Sequence, residues 1–327
     1  MTGRRARGGS CRRSRDGFAL VAAVWLVVAM AVLGTEIATL ARVRRLTVAN
    51  AIERERAEAA ANAGAEHARA RLVRRLTSPT LGPGSGNNAA HRDPWHHVHA
   101  VLPDSVTLGD ARYRVTLVDA NALLNVNVAD ESQLRRFFAA LRIDAGTADR
   151  LAQSIVDWRD ADEFMHLHGA EAREYLRAGL AALPRNALLV RVEELRDVYG
   201  MTPALFARIR PLVTVQGSGQ VNLNSAPSAV LLSLPGFTEE VALAAVRLRQ
   251  GGVVISSLQQ LSAALSAGTR TRVTDATAEL MPRVTFETRE VEVTSEGWVA
   301  GSPARRSVTG LFVRGGTHLF FIGKRYQ

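Results

Sequence analysis

The sequence predicts an α+β chain: a long N-terminal transmembrane and stalk helix, an antiparallel sheet, and a large helical domain inserted between the strands of that sheet. Three observations carry the prediction. An uncharged apolar run from Phe18 to Thr35 continues without a break signal into an alanine-rich, charged stretch. Alternating, β-branched segments occur at Ala111–Val118 and again after Met281, far apart in the chain. Between them, residues 121–280 are mainly helical in pattern and repeat one small motif.

The run Phe18–Thr35 holds eighteen residues, about 27 Å of helix and close to the hydrocarbon thickness of a bilayer. Arg4, Arg5, Arg7, Arg12, Arg13 and Arg15 precede it with a single acid, Asp16, so half of the net charge of +10 lies there. That charge keeps the N-terminus in the cytoplasm and sends the rest of the chain outward. Without these residues the chain is only mildly basic, which weakens a nucleic-acid reading based on charge. With 47% apolar and 22% charged residues, wholesale disorder is excluded. The only cysteine, Cys11, belongs to the leader. The remainder therefore has no disulfide and no thiolate for nucleophilic or zinc chemistry.

A secretory signal peptide would end in a small-x-small site after the apolar run, but the helical pattern passes straight through Glu36–Leu40. Arg12-Arg13 fits a twin-arginine signal poorly, and no apolar run precedes Cys11 as lipoprotein processing would need. Two readings remain. One is an uncleaved signal anchor. The other is cleavage between Gly17 and Phe18, where a glycine permits close approach to the backbone. A basic leader, then Gly17, then an apolar helix opening at Phe18 resembles the class III signal of type IV pilins and pseudopilins. The resemblance implies that a prepilin peptidase removes residues 1–17 and methylates Phe18. Most such subunits carry glutamate at the fifth mature position, which here is Ala22. The pseudopilin K family shares this departure, which fits a tip subunit with no neighbour above it whose amine needs neutralising.

The expected organisation is a cleaved leader (1–17), a transmembrane helix (18–40) and an amphipathic stalk (41–76). A pilin-like β head follows (77–120 and 281–327), with an inserted helical domain (121–280). On the stalk, Val43, Leu46, Asn50 and Ile52 begin a face that Ala57, Ala60, Ala61, Gly64, Ala68 and Leu72 extend. Small side chains there let the helix lie close to a sheet or to another helix. Glu53, Arg54, Glu55, Arg56 and Glu58 read as a solvated face. Residues 77–88 form a Pro/Gly/Ser/Asn-rich linker, and the histidine-rich segment 91–99 reads as a polar loop, not a zinc site. Late strands are expected at Arg283–Thr288, Glu290–Thr294, Arg306–Val313 and His318–Ile322.

Within the inserted block, Asn125-Val-Asn127-Val-Ala129 recurs as Asn222-Leu-Asn224-Ser-Ala226, each followed by an apolar helix. Leu151–Arg159 then matches Val241–Arg249, and Val192–Leu195 matches Leu258–Leu261. Two copies, about 121–217 and 218–280, follow from this spacing, with the asparagines placed to cap free backbone groups. The unit resembles the helix-hairpin-helix of DNA-binding proteins, most nearly at Leu234-Pro-Gly-Phe237. Thr238 stands in for the second glycine, however, and Glu239-Glu240 would repel phosphate.

Asp157, Asp160, Asp162, Glu163 and Glu171 cluster in the first copy. Oxygen-rich segments suit Ca²⁺, although the spacing is not an EF-hand and His166 and His168 are poor Ca²⁺ ligands. The competing reading is capping plus salt bridges to Arg159 and Arg173. No nucleophile motif or phosphate-binding loop is present, so neither an enzyme nor a small-molecule substrate is expected. A paired-carboxylate hydrolase has only the acidic cluster to recommend it.

Taken with the leader, the Asn-x-Asn-x-Ala motif, Asp157–Asp162, Gly169–Glu171, Val192–Leu195 leading to Gly200–Pro203, Arg210–Val213 and Val221–Pro227 resemble the minor pseudopilin K family of the bacterial type II secretion system. The resemblance implies a single-pass inner-membrane protein with a periplasmic head. It further implies a complex with the I and J minor pseudopilins that primes pseudopilus assembly, with no nucleic-acid partner. The alternative is a membrane-anchored helix-hairpin-helix DNA-binding protein.

Overall fold

The computed structural model describes residues 15–77, 105–316 and 318–326. The linker from residue 78 and the histidine-rich loop lie outside the described residues. Helix α1 (Arg15–Thr77) is continuous over 63 residues, about 95 Å at the α-helical rise. Its interior has no proline and is rich in alanine, leucine and arginine, all good helix formers. Among the described residues it is the one helix long and apolar enough to cross a membrane.

The rest of the head begins with β1 (Val106–Leu108), β2 (Ala111–Asp119) and β3 (Leu124–Asn125). Helices α2 (Glu131–Ala140), α3 (Ala145–Arg159), α4 (Ala172–Arg177) and α5 (Pro203–Ile209) follow, then β4 (Val213–Thr214) and β5 (Val221–Asn222). Next come α6 (Ser228–Leu231), α7 (Glu239–Gln250), α8 (Leu258–Ser262), α9 (Ala267–Asp275) and α10 (Thr277–Leu280). Strands β6 (Val284–Thr285), β7 (Glu290–Val299), β8 (Arg305–Gly315) and β9 (His318–Tyr326) close the chain.

Five strands form one antiparallel sheet in the order β1-β2-β7-β8-β9. Strand alternation divides its faces. Tyr113, Leu117, Val291, Val293, Val308 and Phe312 are buried on the face that α1 covers. On the other face, Trp298 lies beneath the guanidinium groups of Arg114 and Arg305, 5.8 and 5.4 Å from its ring centre. The small stripe on α1 does what its residues predict, but only over part of its length. Ala57, Ala60, Ala61, Gly64, Ala68 and Leu72 are buried against the sheet, while Val43, Leu46 and Ile52 stay exposed. Gly297 on β7 is where helix and strand come closest: a Cβ there would lie 2.1 Å from the Ala57 carbonyl oxygen. The charged face is not purely solvated. Glu53 accepts a hydrogen bond from Ser302 Oγ, and Arg56 pairs with Asp110 at 2.9 Å.

One strand expectation needs correction. Of Arg283–Thr288, only Val284–Thr285 is a strand, and it pairs in parallel with Val221–Asn222 inside the helical block instead of joining the large sheet. Val284 is buried in the core of the block and Phe286 packs against it, so burial draws this segment away from the sheet. The short edge strand β1 was not anticipated, and β7 runs on past Thr294 through Gly297, where it lies against α1, to Val299.

The two copies share the same asparagine and arginine clips. Asn125 Oδ1 accepts from the Asn127 amide, and Asn222 Oδ1 from the Asn224 amide. Asn127 binds both the N–H and the C=O of Leu189 and the C=O of Val215. Asn224 does the same with Ile255 and Phe286. Arg159 donates to the carbonyls of Val126 and Ala129, and Arg249 to those of Leu223 and Ala226. The asparagines thus clip each turn to a distant segment, while α2 is capped by Asp130. Because each clip satisfies backbone groups that are otherwise buried, Asn224→Ala is expected to cost about 2–3 kcal/mol, readable as a drop in the denaturant midpoint. The copies differ in their first helix, ten residues in α2 against four in α6, and in the segment that follows the second. From Arg159 to Leu189 the first copy takes a long excursion, whereas the second passes from Arg249 to Ile255 almost directly.

A buried polar joint fixes the helical block on the sheet. Asp119, at the end of β2, accepts from Ser225 Oγ, Thr288 Oγ1, Asn222 Nδ2 and the Asn121 amide at 2.6–3.0 Å. Asn121 in turn binds Glu290 through both its backbone and its carboxylate. Burial pushes the Asp119 carboxyl up, and the four donors oppose that shift.

Candidate functional site

Two features outlast the needs of the fold: the upper length of α1 and the excursion in the first copy. Residues 18–52 of α1 are all exposed. Phe18 (78% exposed) and Ala22 lie on this free length, and Gly17 is already helical, so cutting before Phe18 requires the first turn to open.

The excursion starts where α3 ends. Asp157 lies in the last turn of α3 and Asp160 caps its C-terminus. Acids at that end oppose the helix dipole and call for positive charge. The following loop folds back so that His166 meets Asp157 Oδ1 twice, through its amide at 3.3 Å and its Nδ1 at 2.5 Å. The His168 amide reaches Gln153 Oε1 at 2.5 Å, which pins the loop to α3. Gly169 is obligatory here, because a Cβ would lie 1.9 Å from Asp157 Oδ2. Potential ligand atoms of Asp157, Asp160 and His166 all lie within 4.8 Å of one another.

Asp157 and Glu171 are buried, yet among the described residues Asp157 Oδ2 and Asp160 Oδ1 have no hydrogen-bond partner; Glu171, at the N-cap of α4, forms a capping box with Glu174. Burial, then the charges of Asp157, Asp160, Asp162 and Glu163, push the Glu171 carboxyl up to about 7. Burial likewise raises Asp157, and burial with neighbouring acids raises Asp160. The His166 ring is raised by its hydrogen bond to Asp157. Buried carboxylates with unsatisfied oxygens and mutual repulsion are the donor set a hard divalent cation would complete. Asp162 and Glu163 lie at the exposed rim; Asp162 accepts from the Phe164 amide at 2.9 Å. The expected salt bridges are not formed. Arg159 is committed to the two carbonyls above, and among the described residues none of these acids pairs with Arg173. The sequence reading set His166 aside as a poor Ca²⁺ ligand and gave Gly169 no part in this site.

The hairpin that resembled a DNA reader is built differently. A Cβ on Gly236 would lie 2.7 Å from the Ala276 side chain and 3.1 Å from the Arg272 carbonyl oxygen, so this glycine is where the hairpin approaches α9. Glu240, near the start of α7, accepts from Ser266 and Thr269.

A family model described as type II secretion system protein K matches residues 115–218. The type II secretion system protein K of Pectobacterium carotovorum is 29% identical over 172 residues, covering 47% of this chain and 51% of that protein. The Klebsiella pneumoniae protein of the same name is 31% identical over 157 residues, covering 43% of this chain and 48% of the relative. A chain of the crystal structure of the GspK-GspI-GspJ complex from enterotoxigenic Escherichia coli superposes with a TM-score of 0.65 at 20% identity, covering 88% of this chain and 99% of that one. The chain has the fold of the K pseudopilins. It spans about half the length of the curated relatives it matches in sequence. The matched K region takes in β3, α2, α3 and the acidic excursion, and the structural likeness reaches well beyond it.

Proposed function

We propose that this chain is a non-enzymatic minor pseudopilin of the K type, seated at the tip of a type II secretion pseudopilus, where it primes assembly and supports export across the outer membrane. The observation that carries this reading is the helix itself: one rod whose lower part lies on the sheet and whose upper part projects clear of the head. The rod would anchor the chain in the inner membrane with its N-terminus cytoplasmic and its head periplasmic. By the likeness to the GspK-GspI-GspJ complex, counterparts of I and J are its partners, with their helices lying along the exposed length of α1. A prepilin peptidase would cut between Gly17 and Phe18. Ala22, lacking a carboxylate, suits a subunit with no neighbour above. Asp157, Asp160 and Glu171 would hold a divalent cation such as Ca²⁺, with Asp162 and Glu163 at the rim, and that cation would fix the excursion to α3.

Mass analysis of the mature N-terminus tests the reading. A methylated Phe18 start is expected, and a chain beginning at Met1 contradicts it. Co-expression with I and J subunits should yield a complex with both. If instead the purified head retards duplex DNA in a salt-dependent way, the DNA-binding alternative takes its place.

A further inference from the structure

We propose that Arg42, Arg44 and Arg45 form a cationic band on α1 that binds the phosphates of anionic lipid headgroups on the head side of the membrane. This contact rests on the membrane-spanning reading of α1 given above, and on neither cleavage at Gly17 nor the K assignment.

The three arginines are exposed, and among the described residues none of them forms an ion pair or a side-chain hydrogen bond. Other arginines of the rod do: Arg56 pairs with Asp110, and Arg69 with Glu66. The sequence explains the difference. A helical arginine finds its acid three or four residues away, and no acid lies between Glu36 and Glu53, so none stands at that spacing from the band. Residues 78–104 bring only two acids, Asp93 and Asp104, together with Arg92, and so do not balance three positive charges.

The level of the band identifies its partner. Arg15, which opens the helix, and Arg42 are 27 residues apart, about 40 Å of rise. A bilayer with its headgroups measures about 40–45 Å. Arginine therefore bounds the apolar run at both ends, at the separation of two headgroup layers. At about 100° per residue the three side chains spread over about 160° of the helix, wider than the ~100° stripe with which one helix meets another. A headgroup layer surrounds the rod and meets all of them. Val43 and Leu46 lie on the opposite side, in line with the buried Ala57, Ala61 and Gly64, so the band leaves that stripe to protein. Guanidinium groups suit phosphate, which they bind through two parallel hydrogen bonds. Ala57, the first buried residue of the rod, follows Arg45 by twelve residues, so the head stands about 18 Å above the band. The six arginines of the leader outnumber these three, which keeps the orientation of the span.

Native mass spectrometry of the full chain, released from nanodiscs of equimolar phosphatidylglycerol and phosphatidylcholine, tests the contact. The wild type should retain phosphatidylglycerol in preference by about fivefold. Arg42→Gln, Arg44→Gln and Arg45→Gln together should bring the ratio close to one, and glutamine keeps the helix because it is nearly as good a helix former. Arg54→Gln, about 13 Å further along and beyond a Debye length of about 8 Å, should leave the ratio unchanged. The leader arginines are common to every variant and cancel in the comparison. Equal ratios in the wild type and the triple variant, or an equal loss in Arg54→Gln, overturn the proposal and leave the band to an acidic partner helix. Displacement of the lipid by inorganic phosphate at constant ionic strength also overturns it, since the band would then be a site for free anions. Extraction with alkaline carbonate separates this failure from that of the membrane reading. A chain stripped from vesicles does not span at all, whereas one that stays without a lipid preference spans but lacks this contact.

Discussion

Replacing Gly297 with valine is expected to cost about 3 kcal/mol or more and to loosen the stalk helix from the sheet. A Cβ at this position would lie 2.1 Å from the Ala57 carbonyl oxygen and 2.5 Å from the Ala61 amide nitrogen. Both are backbone atoms of a helix and cannot turn aside, so α1 must lift. Lifting it exposes Ala60, Ala68 and Leu72 together with the sheet residues Val291, Val293 and Phe312 that they cover. Gly64→Ala should be milder, because its nearest neighbours are the Ser295 hydroxyl and the Tyr113 ring, which can shift. Gly34→Val meets nothing within 4 Å and should leave head stability unchanged. Denaturant midpoints of the three variants, with proteolysis after the buried arginine-flanked stretch of α1, give the comparison. Equal midpoints for Gly297→Val and Gly34→Val would show that the helix does not lie where it is described.

How far this was legible follows from the range of the interactions involved. Residues 15–77 announce themselves because a helix is a local structure: an apolar run, then alanines at three- and four-residue steps, fixes its course without reference to anything else. The repeat was legible for a similar reason, since Asn125 and Asn127 recur as Asn222 and Asn224 within short motifs. The partners of those asparagines were not. Asn224 clips Ile255 and Phe286, and nothing near residue 224 indicates either. The same limit explains Val284–Thr285. Its β-branched character says strand, but pairing with Val221 in preference to the large sheet is decided by burial in a core assembled from distant helices. In the acidic cluster, composition marked the carboxylates, but which of them are buried depends on the loop closing over Asp157. Gly169 is the local sign of that closure, because close approach to Asp157 Oδ2 leaves no room for a side chain.

The same cluster makes stability depend on pH and on cations in a linked way. Glu171 titrates near 7 in the folded chain, against about 4.5 for a free glutamate, so folding takes up a proton between those values. The stabilisation from that proton is complete below the unfolded value and is lost as pH rises through about 7. Asp157 and Asp160, both raised, act in the same direction. His166, raised by Asp157, adds a contribution present below its unfolded value and lost as pH climbs through the folded one. In chelator, stability should therefore decline from about pH 5 to about pH 8, with Glu171 accounting for about 1–2 kcal/mol after solvent screening. Asp119, also raised by burial, contributes to the slope, so the difference between wild type and Glu171→Gln isolates the cluster. A divalent cation supplies at high pH the positive charge that protons supply at low pH. Millimolar Ca²⁺ should raise the melting temperature at about pH 8, raise it much less at about pH 5, and lose its effect in Asp157→Asn. Calcium that stabilises equally at both pH values would mean that it binds elsewhere. No shift at the higher pH would mean that these carboxylates hold no such ion.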